Sequence, residues 1–250
     1  MELASKVALV TGGGTGLGRE ICLALAREGM DVAVNYHPDV IREAEETADD
    51  VRGYGRRAVA VQADVSRDSE VREMVDQVEC ELGRIDVLVN NAGHTVFVPL
   101  MDLDGMNEAD WDQVLAVNTK GPFLCARAVA PAMRRQGAGR IVNITSTSGL
   151  RPGGSCIAYA VSKSGNQMLM RCLAQALAPE ITVNAVAPGF MDTRWGRRFP
   201  PEFKEHVIRE APLKRLPDLV DIATAAVFLA RNDSITGQTI IVDGGRHMPL

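Results

Sequence analysis

The sequence predicts an α/β fold: a doubly wound parallel sheet of about seven strands with helices on both faces, in one domain covering residues 1–250. Three observations carry this. Short apolar runs alternate with segments of helical period. A glycine-rich turn joins the first run to the first helix. No linker, tandem repeat or composition shift divides the chain.

Residues 6–10 are the first strand, and T-G-G-G-T-G-L-G follows at 11–18. Residues 19–28 carry Ile21 and Leu25 on one helical face, and Gly29 ends them. Residues 31–35 are the second strand, and 41–54 a charged amphipathic helix closed near Gly53 and Gly55. The third strand is 58–62, and a helix opens at Ser66 and runs to about Leu82. The fourth strand, 85–89, leads into Asn90-Asn91-Ala92-Gly93. Residues 111–133 are one long helical segment, with Gly121-Pro122 as its kink point. The rhythm continues through a strand at 140–145, a helix at 158–177, a strand at 181–186, a helix at 219–230 and a last strand at 238–242. Such alternation builds a parallel sheet covered on both faces. The run 190–215, with its prolines, arginines and aromatics, reads as a lid over the core.

Composition excludes several classes. The formal net charge is -5, which gives no basic footprint for nucleic acid. Arg134, Arg135 and Arg140 read as a solvated helix end. The five cysteines match no zinc or redox spacing and imply a reduced, cytoplasmic protein. Cys22, Cys125 and Cys172 sit in apolar helical patterns and are expected in the core. The histidines are scattered, so no metal site is expected. The start M-E-L-A-S-K lacks the features of a signal peptide, and no apolar run is long enough to span a membrane.

The glycine run points to a dinucleotide. Gly12, Gly16 and Gly18, between a strand and a helix, allow a tight turn, close approach of a pyrophosphate and close helix packing. The helix N-terminus adds free amides. Arg19 stands where a phosphate-binding loop of an ATPase would carry lysine, which argues against ATP hydrolysis. The second strand ends Asn35-Tyr36-His37, with no carboxylate before Asp39. An acid there would hold a ribose 2′-hydroxyl. Asn35 accommodates a 2′-phosphate better, while Thr15 brings no cation to the loop. The expectation is NADP(H), with NAD(H) as the alternative. Asp64 is either an acceptor for the adenine amino group or a helix-approach residue. Asn91 and Gly93 would line the adenosine half.

Tyr159 and Lys163 stand one helical turn apart on a shared face. A fixed positive charge would lower the tyrosine pKa and make it a proton donor. Ser146, upstream, would hold a carbonyl oxygen beside it, with Ser148 as the other candidate in T-S-T-S.

Together these elements resemble the short-chain dehydrogenase/reductase family over about residues 5–245. The resemblance implies a Rossmann fold. The family's T-G-x-x-x-G-x-G loop falls on Thr11, Gly12, Gly16 and Gly18, with Thr15 and Leu17 inside it. Its N-N-A-G falls on residues 90–93, and its catalytic tetrad on Asn118, Ser146, Tyr159 and Lys163. Tyr159 would be the general acid in reduction, and Lys163 would lower its pKa and hold the nicotinamide ribose. Ser146 would orient the substrate oxygen. Asn118 would kink its helix and hold a water in a proton relay. Cofactor contacts would also come from Asn35, Tyr36, Asp64, Val65, Asn91, Ala92 and Gly93. On the nicotinamide side they would come from Pro188, Gly189, Met191 and Thr193.

The likeness is strongest to the 3-oxoacyl-(acyl-carrier-protein) reductase and sugar-dehydrogenase branches, carried by V-A-V-N-Y at 32–36 and I-T-V-N-A-V-A-P-G at 181–189. It implies a ketoreductase of 3-oxoacyl or related keto substrates, with a sugar or cyclic-alcohol dehydrogenase as the alternative. A non-catalytic nucleotide sensor or scaffold is the remote one. Arg134-Arg135 matches one basic place that such reductases use near the mouth for an acidic carrier. A second basic place is replaced by Ala178-Pro179-Glu180. The partner is a small-molecule carbonyl or alcohol, with a thioester among the candidates. Val96, Phe97 and Met101 suggest an apolar pocket wall, or packing at the sheet edge. Phe190, Met191, Trp195 and Phe199 suggest an apolar lid. Arg194, Arg197 and Arg198 meet either an anion or water. His94 is a substrate contact or a solvated side chain, and Cys156 is expected to face the pocket. The family implies a homotetramer, with a dimer as the alternative, through helices near 111–133 and 158–177, where Met168, Leu169, Leu173 and Leu177 lie.

Overall fold

The computed structural model describes residues 1–248; residues 249–250, included in the single-domain reading, lie outside the described residues. Seven parallel strands form one sheet in the order β3-β2-β1-β4-β5-β6-β7. They are β1 Val7–Val10, β2 Asp31–Tyr36, β3 Ala58–Gln62, β4 Val87–Asn90, β5 Gly139–Ile144, β6 Ile181–Pro188 and β7 Thr239–Val242. The helices are α1 Gly16–Arg27, α2 Ile41–Gly53, α3 Asp68–Leu82, α4 Glu108–Leu115, α5 Gly121–Arg135, α6 Ile157–Leu177, α7 Pro201–Glu210 and α8 Leu219–Arg231.

Strand alternation builds two cores. In β1, Val7 and Leu9 face a cluster with α3, α5 and α6. Ala8 and Val10 face the opposite cluster with α1, α2 and α8. Successive side chains point to opposite faces, so burying both faces requires the near-continuous apolar strands seen here. Every strand ends at the same edge. The order reverses between β1 and β4, which opens a crevice there.

Three local features depart from the sequence expectations. The long helical segment starts at Glu108, because Asn107 caps it by accepting from the Asp110 amide. Its irregularity is a five-residue π turn, Ala116–Lys120, one turn before Gly121-Pro122. Pro122 sits in the first turn of α5, where its missing N–H is harmless. The lid run contains α7, whose first residue, Pro201, has the preset φ that favours a helix start.

Three placements also differ. Cys22 and Cys125 are buried in the core, and burial pushes both thiols up, but Cys172 is exposed on the outer face of α6. Arg140 is not solvated. It lies on β5, 6 % exposed, paired to Asp233, which also binds the N-terminal amine. Arg134 and Arg135 end α5 at the edge where the strands begin, bonded to the Ala176 carbonyl and to Glu79. They are therefore remote from the mouth of this chain's own crevice, because α5 runs antiparallel to the strands. Among the described residues no helix is long and apolar enough to cross a membrane, and no cluster of metal-ligating side chains occurs.

Candidate active site

The glycine loop is pinned from below. Gly12 and Gly16 adopt positive φ of 61° and 54°, a region that residues with a Cβ rarely enter. A Cβ on Gly18 would lie 2.1 Å from the Gly12 carbonyl oxygen. Asn91 Nδ2 donates to the carbonyls of Thr11 and Gly12, each at 3.0 Å. Thr11 Oγ1 accepts from the amides of Asn91 and Ala92, each at 3.0 Å. This bare backbone turn at the start of α1 fits a dinucleotide pyrophosphate.

Several expected cofactor residues act from behind the loop. Asn35 is 1 % exposed. Its Oδ1 accepts from the Gly12 amide at 3.2 Å, and its Nδ2 donates to the carbonyls of Val61 and Ala63. Both polar atoms are committed, so Asn35 shapes the loop and is not placed to read a ribose substituent. Alternation along β2 turned it inward. Leu17, Tyr36 and Val65 are buried in the cores, so their side chains support the site and leave only backbone for a ligand. Asp64 accepts from the Ser66 amide and hydroxyl and lies 3.4 Å from Arg67. Burial raises its pKa, but these bonds and Arg67 outweigh that and hold it below the usual carboxylate range. Exposed at the end of β2 is His37, 3.2 Å from Asp39. Thr15 caps α1 in extended backbone. Pro188 ends β6, and Gly189, Met191 and Thr193 continue into the cleft wall.

At the crevice the tetrad comes together. Ser146 follows β5 and lines the cleft with Tyr159. Ser148 lines the same cleft and gives its amide to Ser146 Oγ at 3.1 Å. Lys163 Nζ lies 5.7 Å from the Tyr159 ring centroid and donates to the Ile144 carbonyl at 3.0 Å. Asn118, fully buried in the π turn, grips residue 94: its Oδ1 accepts from the His94 amide at 2.8 Å and its Nδ2 donates to the His94 carbonyl at 2.9 Å. Its own carbonyl accepts from Asn166 Nδ2 at 3.0 Å.

The pKa expectation for the pair reverses. Burial pushes Tyr159 up to about 12, against the opposing hydrogen bond from Ser146. Burial pushes Lys163 down to about 8. Removal from water disfavours each charged form.

The cleft beyond holds about 260 Å³. Phe97, Phe190, Phe199 and Phe203 form its apolar wall, with the rings of Phe199 and Phe203 stacked at 4.8 Å and Phe97 edge-on to Phe199 at 5.1 Å. Trp195 joins the wall, as expected, but Met101 points to solvent at 93 % exposure. Val96 packs on a side cluster with Cys156. Cys156 does not face the cleft. It is fully buried, and its Sγ caps α6 by accepting from the Tyr159 amide at 3.3 Å. The sequence reading missed Arg151, Phe203, Arg246 and His247, which also line the cleft. Arg151 stands in the same loop as Ser146. The other signal was Arg246-His247 directly following the last strand, at the same sheet edge.

A nucleotide crevice beside a Tyr-Lys-Ser group, with Lys163 and Ser146 buried and Tyr159 partly so, defines a class: nucleotide-dependent oxidoreductases of the doubly wound α/β type. The comparisons narrow it. Residues 12–247 match the family model described as enoyl-(acyl carrier protein) reductase. The chain is 42% identical over 247 residues to the 3-oxoacyl-(acyl-carrier-protein) reductase of Staphylococcus epidermidis, covering 98% of this chain and 100% of that one. It is 38% identical to the corresponding reductase of Synechocystis sp., covering 98% of each. The solved NADPH-dependent 3-quinuclidinone reductase of Rhodotorula rubra superposes with TM-score 0.90 at 29% identity, covering 98% of this chain and 92% of that one. The chain belongs to the short-chain dehydrogenase/reductase family and is an oxidoreductase using a nicotinamide cofactor.

Two outcomes test this geometry. Asn35→Asp removes both donors and buries a charge, so titration should show weaker binding of NADH and NADPH alike, by about tenfold or more; a clean switch toward NADH would instead mean that residue 35 reads the ribose. Lys163 loses basicity on folding, so its burial penalises the fold in full below about pH 8, and the penalty fades as pH rises toward its ordinary 10.5. Lys163→Met should therefore raise stability at neutral pH by on the order of 1–3 kcal/mol, less at pH 10. Thermal melts at the two pH values check it, and a lower melting temperature at neutral pH would show that the Ile144 bond outweighs burial.

Proposed function

We propose that this protein reduces a ketone to a secondary alcohol with NADP(H), its substrate being a 3-oxoacyl thioester or a related keto compound. The observation that carries this is the Ser146–Tyr159–Lys163 group at the floor of an apolar cleft, beside the glycine loop. Ser146 would hold the carbonyl oxygen, and Tyr159 would donate a proton to it. A phenol raised to about 12 is protonated at neutral pH, which is the form reduction uses. Lys163, fixed by the Ile144 carbonyl, would hold the ribose hydroxyls on one side and polarise the phenol on the other. When bound, the nicotinamide supplies the hydride for the carbonyl carbon. Asn118 would keep residues 93–95 in place at the cleft edge rather than bind substrate. The run 190–215 would serve as the lid, with α7 as its rigid part.

NADP(H) is favoured over NAD(H) because β2 runs into His37, with no carboxylate before Asp39. The relatives named above support the 3-oxoacyl reading. A sugar or cyclic-alcohol dehydrogenase is the second reading, favoured by the distance of Arg134 and Arg135 from the mouth. Cys80 and Cys172, exposed and unpaired, support a reducing, cytoplasmic setting.

The decisive assay follows absorbance at 340 nm with NADPH or NADH against ketoacyl thioesters, cyclic ketones and keto-sugars. Tyr159→Phe should lose turnover by at least about a thousandfold while nucleotide still binds. The alcohol-oxidation rate should rise with pH through the alkaline range, since it needs the phenolate, while ketone reduction should not. Near-wild-type turnover in the variant would remove Tyr159 from its role.

We also propose a homotetramer, with a dimer as the alternative. On α6, Leu173 and Leu177 serve the core, but Val161 and Met168 are 44 % and 56 % exposed, beside Phe123 of α5. A second apolar patch, Val220 and Phe228, lies on α8. Two separate patches suit two dyads. Light scattering should return about four times 26.9 kDa, and a stable monomer would overturn it.

A further inference from the structure

The rim of the cleft holds charged groups that neither the nucleotide nor the proton donor uses. Its two carboxylates are already satisfied. Glu210, at the end of α7, receives Arg246 Nε at 2.8 Å and Nη2 at 2.5 Å, and His206 Nε2 at 3.2 Å. Asp243 receives the Gly245 amide at 2.9 Å and His247 Nδ1.

Arg151 differs from these. It lines the cleft, lies within electrostatic reach of Glu210 across the mouth, and has no ion-pair partner among the described residues. Its backbone is held by the bond from its amide to the Thr147 carbonyl at 3.2 Å, one turn from Ser146. The loop therefore fixes the position of its backbone relative to Ser146. Between the two ends runs the phenylalanine wall.

We propose that the substrate carries an anionic group, carboxylate or phosphoryl, distal to its carbonyl, and that Arg151 binds it. A planar guanidinium suits either anion. The inference deepens the ketone-reductase reading and rests on it for the placement of the carbonyl.

Calorimetric binding separates the two. The probes are para-acetylbenzoate and its neutral methyl ester, titrated into the wild type, Arg151→Gln and Arg151→Lys. The wild type should bind the acid at least about tenfold more tightly than the ester. Arg151→Gln should lose that preference, and Arg151→Lys should keep part of it. Equal or undetectable binding of acid and ester by the wild type overturns the proposal, and so does an undiminished preference in Arg151→Gln. A second pair, acetoacetyl-pantetheine and its phosphorylated form, locates the anion: preference for the acid alone places it on the substrate body, and preference for the phosphorylated form places it on a carrier arm. Turnover of the same compounds with NADPH is read separately. Selective acid binding with no turnover would leave the anion site standing and remove the reductase reading.

Discussion

A chain of buried asparagines holds the catalytic face to the sheet. Asn90 Nδ2, on β4, donates to Asn143 Oδ1 on β5 at 2.9 Å, and Asn143 Nδ2 donates to Asn166 Oδ1 on α6 at 2.7 Å. Asn166 Nδ2 then donates to the Asn118 carbonyl in the π turn, and Asn118 Nδ2 to Ser162 Oγ. Ser162 Oγ closes the path on the Tyr159 carbonyl at 2.8 Å. Asn90 Oδ1 is left without a partner, but every other amide group of the asparagine chain is paired, so the helix carrying Tyr159 and Lys163 cannot slide along the sheet without orphaning more buried polar groups, each costing about 1–3 kcal/mol. Apolar packing alone would allow repacking. The amide chain sets one register.

The nucleotide end uses the same device on a smaller scale. Asn35 and Asn91 hold the glycine loop through its backbone, which leaves the outer amides free for phosphate. Loop and tetrad are thus positioned by polar side chains that face inward, and the faces offered to ligand are mostly backbone, hydroxyl and aromatic ring. The π turn belongs to the same arrangement: Pro122 has no N–H for the Asn118 carbonyl, which accepts from Asn166 instead, while the Asn118 side chain turns to residue 94.

Much of this was legible in the sequence, and the limits are physical. All seven strands and the tetrad could be read because their spacings lie within single elements or βα units. Asn35 was placed on β2 as a cofactor contact, but its bonds to the Gly12 amide and to the Val61 and Ala63 carbonyls could not be read, since the strand is buried on both sides and polarity does not say which partner a residue meets. Asn143, Asn166 and Ser162 gave no signal, because polar residues in core positions declare themselves only through partners far away in sequence. α7 was hidden by prolines and charges that resemble a loop. Arg246 and His247 reach the cleft because β7 lies beside β6, an adjacency that alternation alone does not supply. The sign of the Tyr159 shift was missed because charge proximity can be read from spacing, whereas desolvation depends on the complete packing.

That sign has a consequence for how the site works. Burial favours the neutral phenol and penalises the ammonium, so the protein by itself holds a proton donor and a cation that is costly to keep. A cation in that state is stabilised by any electron-rich oxygen brought beside it. The Ile144 carbonyl provides one such oxygen, and ribose hydroxyls would provide more. Binding at the glycine loop and completion of the proton donor are then energetically linked through Lys163, without movement of the sheet. Exclusion of water from the Tyr159–Lys163 pair is therefore the cause that sets the protonation of both groups.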